Sequence, residues 1–355
     1  MIFLLLGGTG AMGTPLVDLL STDPQNTVYV TTRKKRENKN NVIYCQGNAR
    51  SDDFLLRILE GKSYDAIFDF MVYNTEELRK RLPKLLEKTK QYFFFSSSRC
   101  YAETEGKIVE NSPRLVDACT DVDYLSTDEY GLAKGREENL LTLCEKRNWT
   151  IIRPYITYND YRIQLGVYEK ENWLKRALAG RTIILPKDIA ERKTSMTYGP
   201  DVAGALIKLI GNEKAYGEAF HIATRETHTW GEILAFYCDK IEEKTGKRPK
   251  VKIINDSRGL QTVWNKWQII YDRLYDREFD TTKIESVRGP YEYKPTFEGL
   301  DECIKQFLSK PMWGEMNWRY EAWCDRQTGE ITPLGEIVGW KNKLRYIKWR
   351  FIPCR

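Results

Sequence analysis

The chain has 355 residues, enough at roughly 150 residues per domain for about two domains and a sizeable core. Apolar residues make up 41% and charged residues 30%, and the mean hydropathy is −0.55, so disordered, collagen-like and membrane-spanning classes all fit poorly. The net charge of +6 has one location: Lys341, Lys343, Arg345, Lys348, Arg350 and Arg355 follow Trp340 with no acid among them, which leaves the body neutral and the excess in the tail.

The apolar start, Met1 to Leu6, lacks a basic leader and runs into glycines, so its continuous apolar run Ile2 to Leu6 reads as a buried first strand and the protein as cytoplasmic. The turn Gly7-Gly8-Thr9-Gly10-Ala11-Met12-Gly13 follows, then Thr14 to Leu20 at helical spacing. Strands are predicted at Thr27 to Thr32, Val42 to Cys45, Ala66 to Val72 and Tyr92 to Phe95, with helices at Asp53 to Leu59 and Glu76 to Thr89. Between Tyr101 and Asp128 the chain is polar and turn-rich, an excursion of a length usually kept for function. A helix over Tyr130 to Glu145 and a sixth strand, Thr150 to Arg153, complete the alternation that builds a doubly wound parallel sheet of the Rossmann α/β class.

Beyond Pro154 the pattern is mixed: helices near Glu171 to Leu178, Asp201 to Ile210 and Trp230 to Glu243, strands at Thr182 to Leu185 and Ala219 to Ile222. This predicts a dinucleotide-binding domain over 1–160, rejoined by segments near 194–225, a smaller mixed α/β substrate domain over 161–310, and an aromatic, basic extension over 311–355. In the extension Ile347, Trp349 and Phe351 alternate with Lys348 and Arg350, the pattern of a strand docked on the body. The same stripe would also suit a base, a nucleic-acid phosphate or an anionic membrane surface, so the tail's partner stays open.

Gly7, Gly10 and Gly13 lie where a strand gives way to a helix, the place where backbone must approach a pyrophosphate closely. The bland alternative is a tight turn without a ligand. At the end of the second strand, where an acid would hold ribose hydroxyls, the chain has Thr32, Arg33 and Lys34, which favours NADP over NAD unless Arg33 to Arg36 is only a solvated loop. Tyr130 and Lys134 are four apart and share a helix face, where an ammonium beside a phenol favours the phenolate and makes the tyrosine an acid or base for a carbonyl/alcohol pair. Alone, that spacing is as well explained by a surface helix. The eight cysteines show no C-x-x-C pair and the two histidines no zinc spacing, so reduced thiols and no metal are expected. His221 and His228 read as structural residues, and Cys100 as a packed thiol rather than a proton donor.

Glycine turn, serine-ended fifth strand, Tyr130/Lys134 and Arg153-Pro154 occur in an order that resembles the extended short-chain dehydrogenases/reductases, the epimerases and dehydratases acting mostly on nucleotide sugars; the similarity covers roughly residues 1–310. The resemblance implies a catalytic set of Ser97, with Ser98 second choice, Tyr130 and Lys134, and a cofactor site at Gly7, Thr9, Gly10, Met12, Gly13, Thr32, Arg33, Lys34, Asn48, Lys134 and Pro154. It implies hydride transfer at a carbinol carbon of a nucleotide sugar, as reductase or epimerase, and a homodimer. Three positions depart from the family pattern. Gly47-Asn48 replaces a Gly-Asp pair, Ser98-Arg99 replaces the Asp-Glu of the dehydratases, and the gap from Ser97 to Tyr130 is long. Elimination of water by the dehydratase route is therefore not expected. The alternative function is a non-catalytic cofactor fold that binds RNA or regulates, as RNA-binding relatives of that family do.

Overall fold

The computed structural model describes residues 1–352; Cys354 and Arg355 lie outside the described residues. The chain forms two compact units. Unit 1 comprises 1–158, 195–226 and 278–296, and unit 2 comprises 159–194, 227–277 and, among the described residues, 297–352.

Unit 1 is built on seven parallel strands: β1 (Ile2–Leu6), β2 (Thr27–Thr32), β3 (Val42–Gln46), β4 (Tyr64–Asp69), β5 (Thr89–Phe95), β6 (Trp149–Pro154) and β7 (Glu218–Ile222). Their order across the sheet is β7-β6-β5-β4-β1-β2-β3, with every pairing parallel. The chain thus reverses direction across the sheet between β1 and β4, the crevice where such sheets take their ligands. Alternation along the strands fills two layers. Phe3, Leu5, Val28, Val30, Phe68 and Phe93 pack on one face with α1 (Gly13–Ser21) and the later helix at Gly199–Leu209. Leu4, Leu6, Ile67, Tyr92 and Phe94 pack on the other with α2 (Asp52–Leu59) and α3 (Thr75–Glu87). This is the Rossmann-type sheet that the alternating pattern predicts.

Two of the expected boundaries that move have a visible cause. The fourth strand ends at Asp69 instead of Val72, because Asp69 Oδ1 accepts the Met71 amide at 3.1 Å and turns the chain. Thr89 opens β5 instead of closing α3, its hydroxyl donating to Gln91 O at 2.8 Å. The polar stretch after Tyr101 carries two one-turn helices, Leu115–Ala118 and Val122–Leu125, before α4 (Tyr130–Thr142). It is pinned by Arg114, which donates to Glu138 Oε2 at 3.1 Å and Asn139 Oδ1 at 2.8 Å.

Unit 2 pairs two short parallel strands, Ile183–Pro186 and Val251–Ile254, beside α5 (Lys170–Leu178). After α6 (Gly199–Leu209), which belongs to unit 1, the chain returns with α7 (Trp230–Thr245), whose Tyr237 stacks on Trp173 at 4.6 Å. Helices α8 (Trp318–Thr328) and α9 (Trp340–Phe351) follow. The strand expected from Tyr346 onward is thus a helix: no glycine or proline interrupts 340–352, and the apolar residues Trp340, Leu344, Ile347 and Phe351 recur at spacings of four, three and four. A run of five alternating residues is too short to outweigh that period. Among the described residues, no helix is long and apolar enough to cross a membrane and no cluster of three metal-ligating side chains forms.

Candidate active site

The turn after β1 is shaped by two glycines. Gly7 has φ +71°, and its amide donates to Thr31 Oγ1 at 2.8 Å, tying the turn to β2. A Cβ on Gly13 would lie 2.6 Å from the Gly8 carbonyl carbon, so α1 starts against the backbone of its own turn. Gly10 differs from both: a Cβ there would meet nothing within 4 Å, so its backbone fronts open space. No side chain caps the start of α1 at Met12 and no acid stands in its first turn. Backbone N–H groups and partial positive charge therefore face outward. Those features fit a pyrophosphate, and Thr9 lies in the same turn, its amide donating to Gly7 O at 2.8 Å. From the far side, Gly199 at the start of α6 braces the turn, since a Cβ there would meet Ala11 O at 2.3 Å.

At the end of β2, Thr32 is buried with its hydroxyl donating to Lys34 O at 3.0 Å, while the side chains of Arg33 and Lys34 are exposed. Asn48 stands in the exposed turn after β3, where its Oδ1 accepts the Arg50 amide at 3.1 Å. Pro154 ends β6, paired in register with Ile222 of β7.

Three serines close β5, and the structure separates their tasks. Ser96 Oγ donates to Glu138 Oε1 at 2.6 Å and Ser98 Oγ to Arg153 O at 2.9 Å, so both hydroxyl protons are spent on the scaffold. Ser97 Oγ accepts the Arg99 amide at 3.2 Å, which leaves its own proton for another oxygen. Of the two candidate serines, Ser98 donates to the scaffold and Ser97 accepts from it. The single 3-10 turn Ser98–Cys100 then packs on the first turn of α4, and Gly131 allows it, because a Cβ there would lie 2.9 Å from Arg99 O. Tyr130 is thereby held half-buried at the head of α4, with the Arg99 guanidinium 5.1 Å from its ring centre. Glu129 fixes that head by accepting Gly131 N at 2.8 Å and Arg99 Nη2 at 2.6 Å.

One turn on, the Lys134 ammonium lies 5.9 Å from the centre of the Tyr130 ring. It is buried against Phe94 and donates to Glu137 Oε2 at 2.8 Å. Burial pushes Glu137 up to about 7, against the pull of Lys134, and its second oxygen has no protein partner. Asp69, at the end of β4, accepts Tyr92 and Tyr73 hydroxyls at 2.8 and 3.3 Å; burial pushes it up to about 6, with Lys134 among the charges opposing the rise. Neither acid is legible as a site residue from sequence. Asp69 looks like the end of an apolar strand, and the one available sign for Glu137 is its position three residues past Lys134 on one helix.

The resembled family uses the segment matching Arg153-Pro154 to help build its nucleotide and substrate pocket, whereas the Arg153 side chain here is tied into the scaffold. It is buried, donating to both oxygens of Glu138 at 2.8 and 2.7 Å and to Tyr101 Oη at 2.8 Å. Burial opposes ionisation of Glu138, yet that guanidinium and its other donors hold the carboxyl below the usual range. Cys100 Sγ, 3.8 Å from Glu138 Oε1, is packed into this network, and the His221 ring lies between Tyr101 Oη and the Asp280 carbonyl. His228 is half-buried, its ring 4.2 Å from that of Phe297.

No protein-family model matches the chain. Among curated proteins it is 27% identical over 216 residues to chloroplast stem-loop binding protein of 41 kDa b of Arabidopsis thaliana, across 60% of this chain and 51% of that protein, so the match spans about half the relative's length. Two solved structures cover it far more fully. UDP-glucuronic acid 4-epimerase from Bacillus cereus, in complex with UDP-glucuronic acid and NAD, superposes with a TM-score of 0.65 at 15% identity, over 86% of this chain and 100% of that one. UDP-N-acetylglucosamine 4-epimerase from Methanobrevibacter ruminantium superposes at 0.67 and 18% identity, over 87% and 98%. The chain shares the fold of these two epimerases.

Proposed function

We propose that this protein is a nicotinamide-dependent oxidoreductase or epimerase acting on a carbinol/carbonyl centre of a nucleotide sugar. One observation carries the reading: the turn after β5 and the head of α4 pack together, so a serine with an uncommitted proton, a half-buried phenol and a lysine one turn below occupy one edge of the sheet that also bears the glycine turn. Gly7, Thr9, Gly10, Met12 and Gly13 would hold the pyrophosphate on backbone N–H groups, Thr32 to Lys34 and Asn48 the adenosine end, and Lys134 and Pro154 the nicotinamide end. The cofactor supplies hydride donation and acceptance.

The rest of the chemistry belongs to the chain. Ser97 orients the substrate oxygen through its free proton, and Tyr130 gives or takes the hydroxyl proton as the carbon is reduced or oxidised. Lys134 supplies positive charge behind the phenol. Its pairing with Glu137 divides that charge and makes it responsive to the protonation of the acid.

NAD stands first, because the superposed UDP-glucuronic acid 4-epimerase holds NAD, although Arg33 and Lys34 would also receive a 2′-phosphate. A tightly kept NAD suits epimerisation, in which the hydride returns to the substrate it left. The test is to release and identify by mass spectrometry the nucleotide that co-purifies with the protein, then to assay UDP-sugars for epimerisation or reduction. NAD or NADP with turnover of one sugar is the expected result. The stem-loop binding relative supplies the competing outcome: RNA retention with neither nucleotide nor turnover would replace the enzymatic reading by a binding one.

A further inference from the structure

Helix α9 is attached to unit 2 through one face. Tyr346 is buried and donates to Asp325 Oδ2 at 2.6 Å, and Trp349 packs on the cluster of Trp318, Ala322 and Ile337 with its ring 4.2 Å from the Arg319 guanidinium. Arg326 of α8 donates to the Trp349 carbonyl and, at 2.9 Å, to that of Ile352, so the end of the helix is tied down as well. The helix is preformed rather than waiting for a partner.

Its opposite face carries Trp340, Leu344, Ile347 and Phe351, which at about 100° per residue fall within an arc of about 60°. They are 67%, 57%, 36% and 58% exposed in the presence of the whole chain, a row that a folded protein ordinarily covers. Lys341, Arg345 and Lys348 border one side of the row and Lys343 and Arg350 the other, and no acid occurs from Val338 to Ile352. Lys341 and Arg350 already lie along it, their cationic groups 5.8 and 5.1 Å from the Trp340 and Phe351 ring centres.

We propose that α9 is an interfacial helix that seats this protein on a membrane surface rich in anionic lipid, its apolar row at the acyl boundary and its two basic borders on headgroup phosphates. Twelve residues cannot cross a bilayer, but they can lie in its surface. Charge decides the occupant. A second copy of the chain laid on the same row would bring basic borders together, and RNA would meet the borders while giving Leu344 and Ile347 nothing to stack on. Anionic lipid satisfies row and borders at once.

The experiment is flotation of the full-length protein with vesicles of phosphatidylcholine alone or with about one-quarter phosphatidylglycerol. The protein should float with the anionic vesicles at least about tenfold more than with the neutral ones, and less as salt rises from about 0.1 M to about 0.5 M. The double variant Trp340→Asp/Leu344→Asp should lose at least about tenfold of that binding with an unchanged circular dichroism spectrum and melting temperature, because these side chains are 67% and 57% exposed. Absence of flotation, equal flotation on both vesicles, or flotation that the double variant keeps would each overturn the proposal. So would a dimer that the double variant abolishes, or stem-loop RNA binding that it leaves intact, where vesicles are not bound.

Discussion

The ammonium of Lys134 and the carboxylate of Glu137 are 2.8 Å apart, one turn below Tyr130, with neither side chain more than 1% exposed. A lysine expected to serve a phenol and a cofactor is thus also the partner of a buried acid. Glu137 and Asp69 have folded-state pKa values of about 7 and about 6, above their ordinary 4.5 and 3.8, so the native state binds more protons than the unfolded chain between those limits. Their combined contribution therefore falls as the pH rises from about 4 through about 7. Glu137→Gln should remove its share of that decline. Melting temperatures measured across that window should fall less steeply with pH in the variant than in the wild type, and parallel curves would count against the assignment.

The same pairing bears on catalysis. If Glu137 loads Lys134 with a compensating negative charge as it ionises, Glu137→Gln should displace the pH profile of kcat/KM toward lower pH while leaving substrate KM at fixed pH nearly unchanged. A profile that coincides with wild type would show that the acid is only a buried structural partner of the lysine.

Tyr130→Phe removes one hydroxyl from a half-buried site at a helix head, so the fold should be kept and the proton transfer lost. Turnover of whichever UDP-sugar is a substrate should drop by about 10²- to 10⁴-fold, with dinucleotide binding measured by calorimetry little altered. Full activity in the variant would remove the phenol from the mechanism.

Two glycines of the turn should separate folding from binding. At Gly10 a methyl group meets no protein atom within 4 Å, so Gly10→Ala should keep the melting temperature while weakening dinucleotide binding at least about tenfold, the methyl standing where the pyrophosphate would come. At Gly13 the same methyl would sit 2.6 Å from the Gly8 backbone, so Gly13→Ala should lower the melting temperature itself. Calorimetry and thermal melting of the two variants side by side distinguish the cases.

The sheet was readable because its information is local and repeated. β1 and β2 are apolar or β-branched runs, and their ends coincide with the expected ones at Ile2–Leu6 and Thr27–Thr32. The glycine turn and the Tyr130/Lys134 spacing were readable for the same reason, each lying within a dozen residues. What escaped was carried by distance in the fold. Arg153 pairs with Glu138 on another element, and nothing in the Arg153-Pro154 segment tells a pocket residue from a buried ion pair. The tail failed for a different reason: from Tyr346 to Phe351 a two-residue period and a 3.6-residue period pass through some of the same apolar positions, and Trp340 and Leu344 are needed to separate them.

The attachment of α8 to unit 2 rests on a charge cluster that should be costly to break. Arg176 of α5 is fully buried and reaches Glu321 Oε1 at 2.8 Å, Asp325 Oδ1 at 2.7 Å, Glu330 Oε2 at 2.8 Å and the Thr182 carbonyl at 2.6 Å. Burial pushes Glu321 up despite that guanidinium, whereas Asp325, helped by the Tyr346 hydroxyl and Arg176, stays below its ordinary value against the same burial penalty. Arg176→Met would leave the buried Glu321 and Asp325 with one guanidinium, that of Arg181 at 3.1 Å from Glu321 Oε1, in place of two, and removing one partner of a buried pair typically costs about 3 to 5 kcal/mol. Chemical denaturation should show a loss of that order at neutral pH. Because protonating the acids relieves the unpaired charge, the gap between variant and wild type should narrow as the pH is lowered toward about 4. A gap independent of pH would mean that the variant loses packing rather than charge balance.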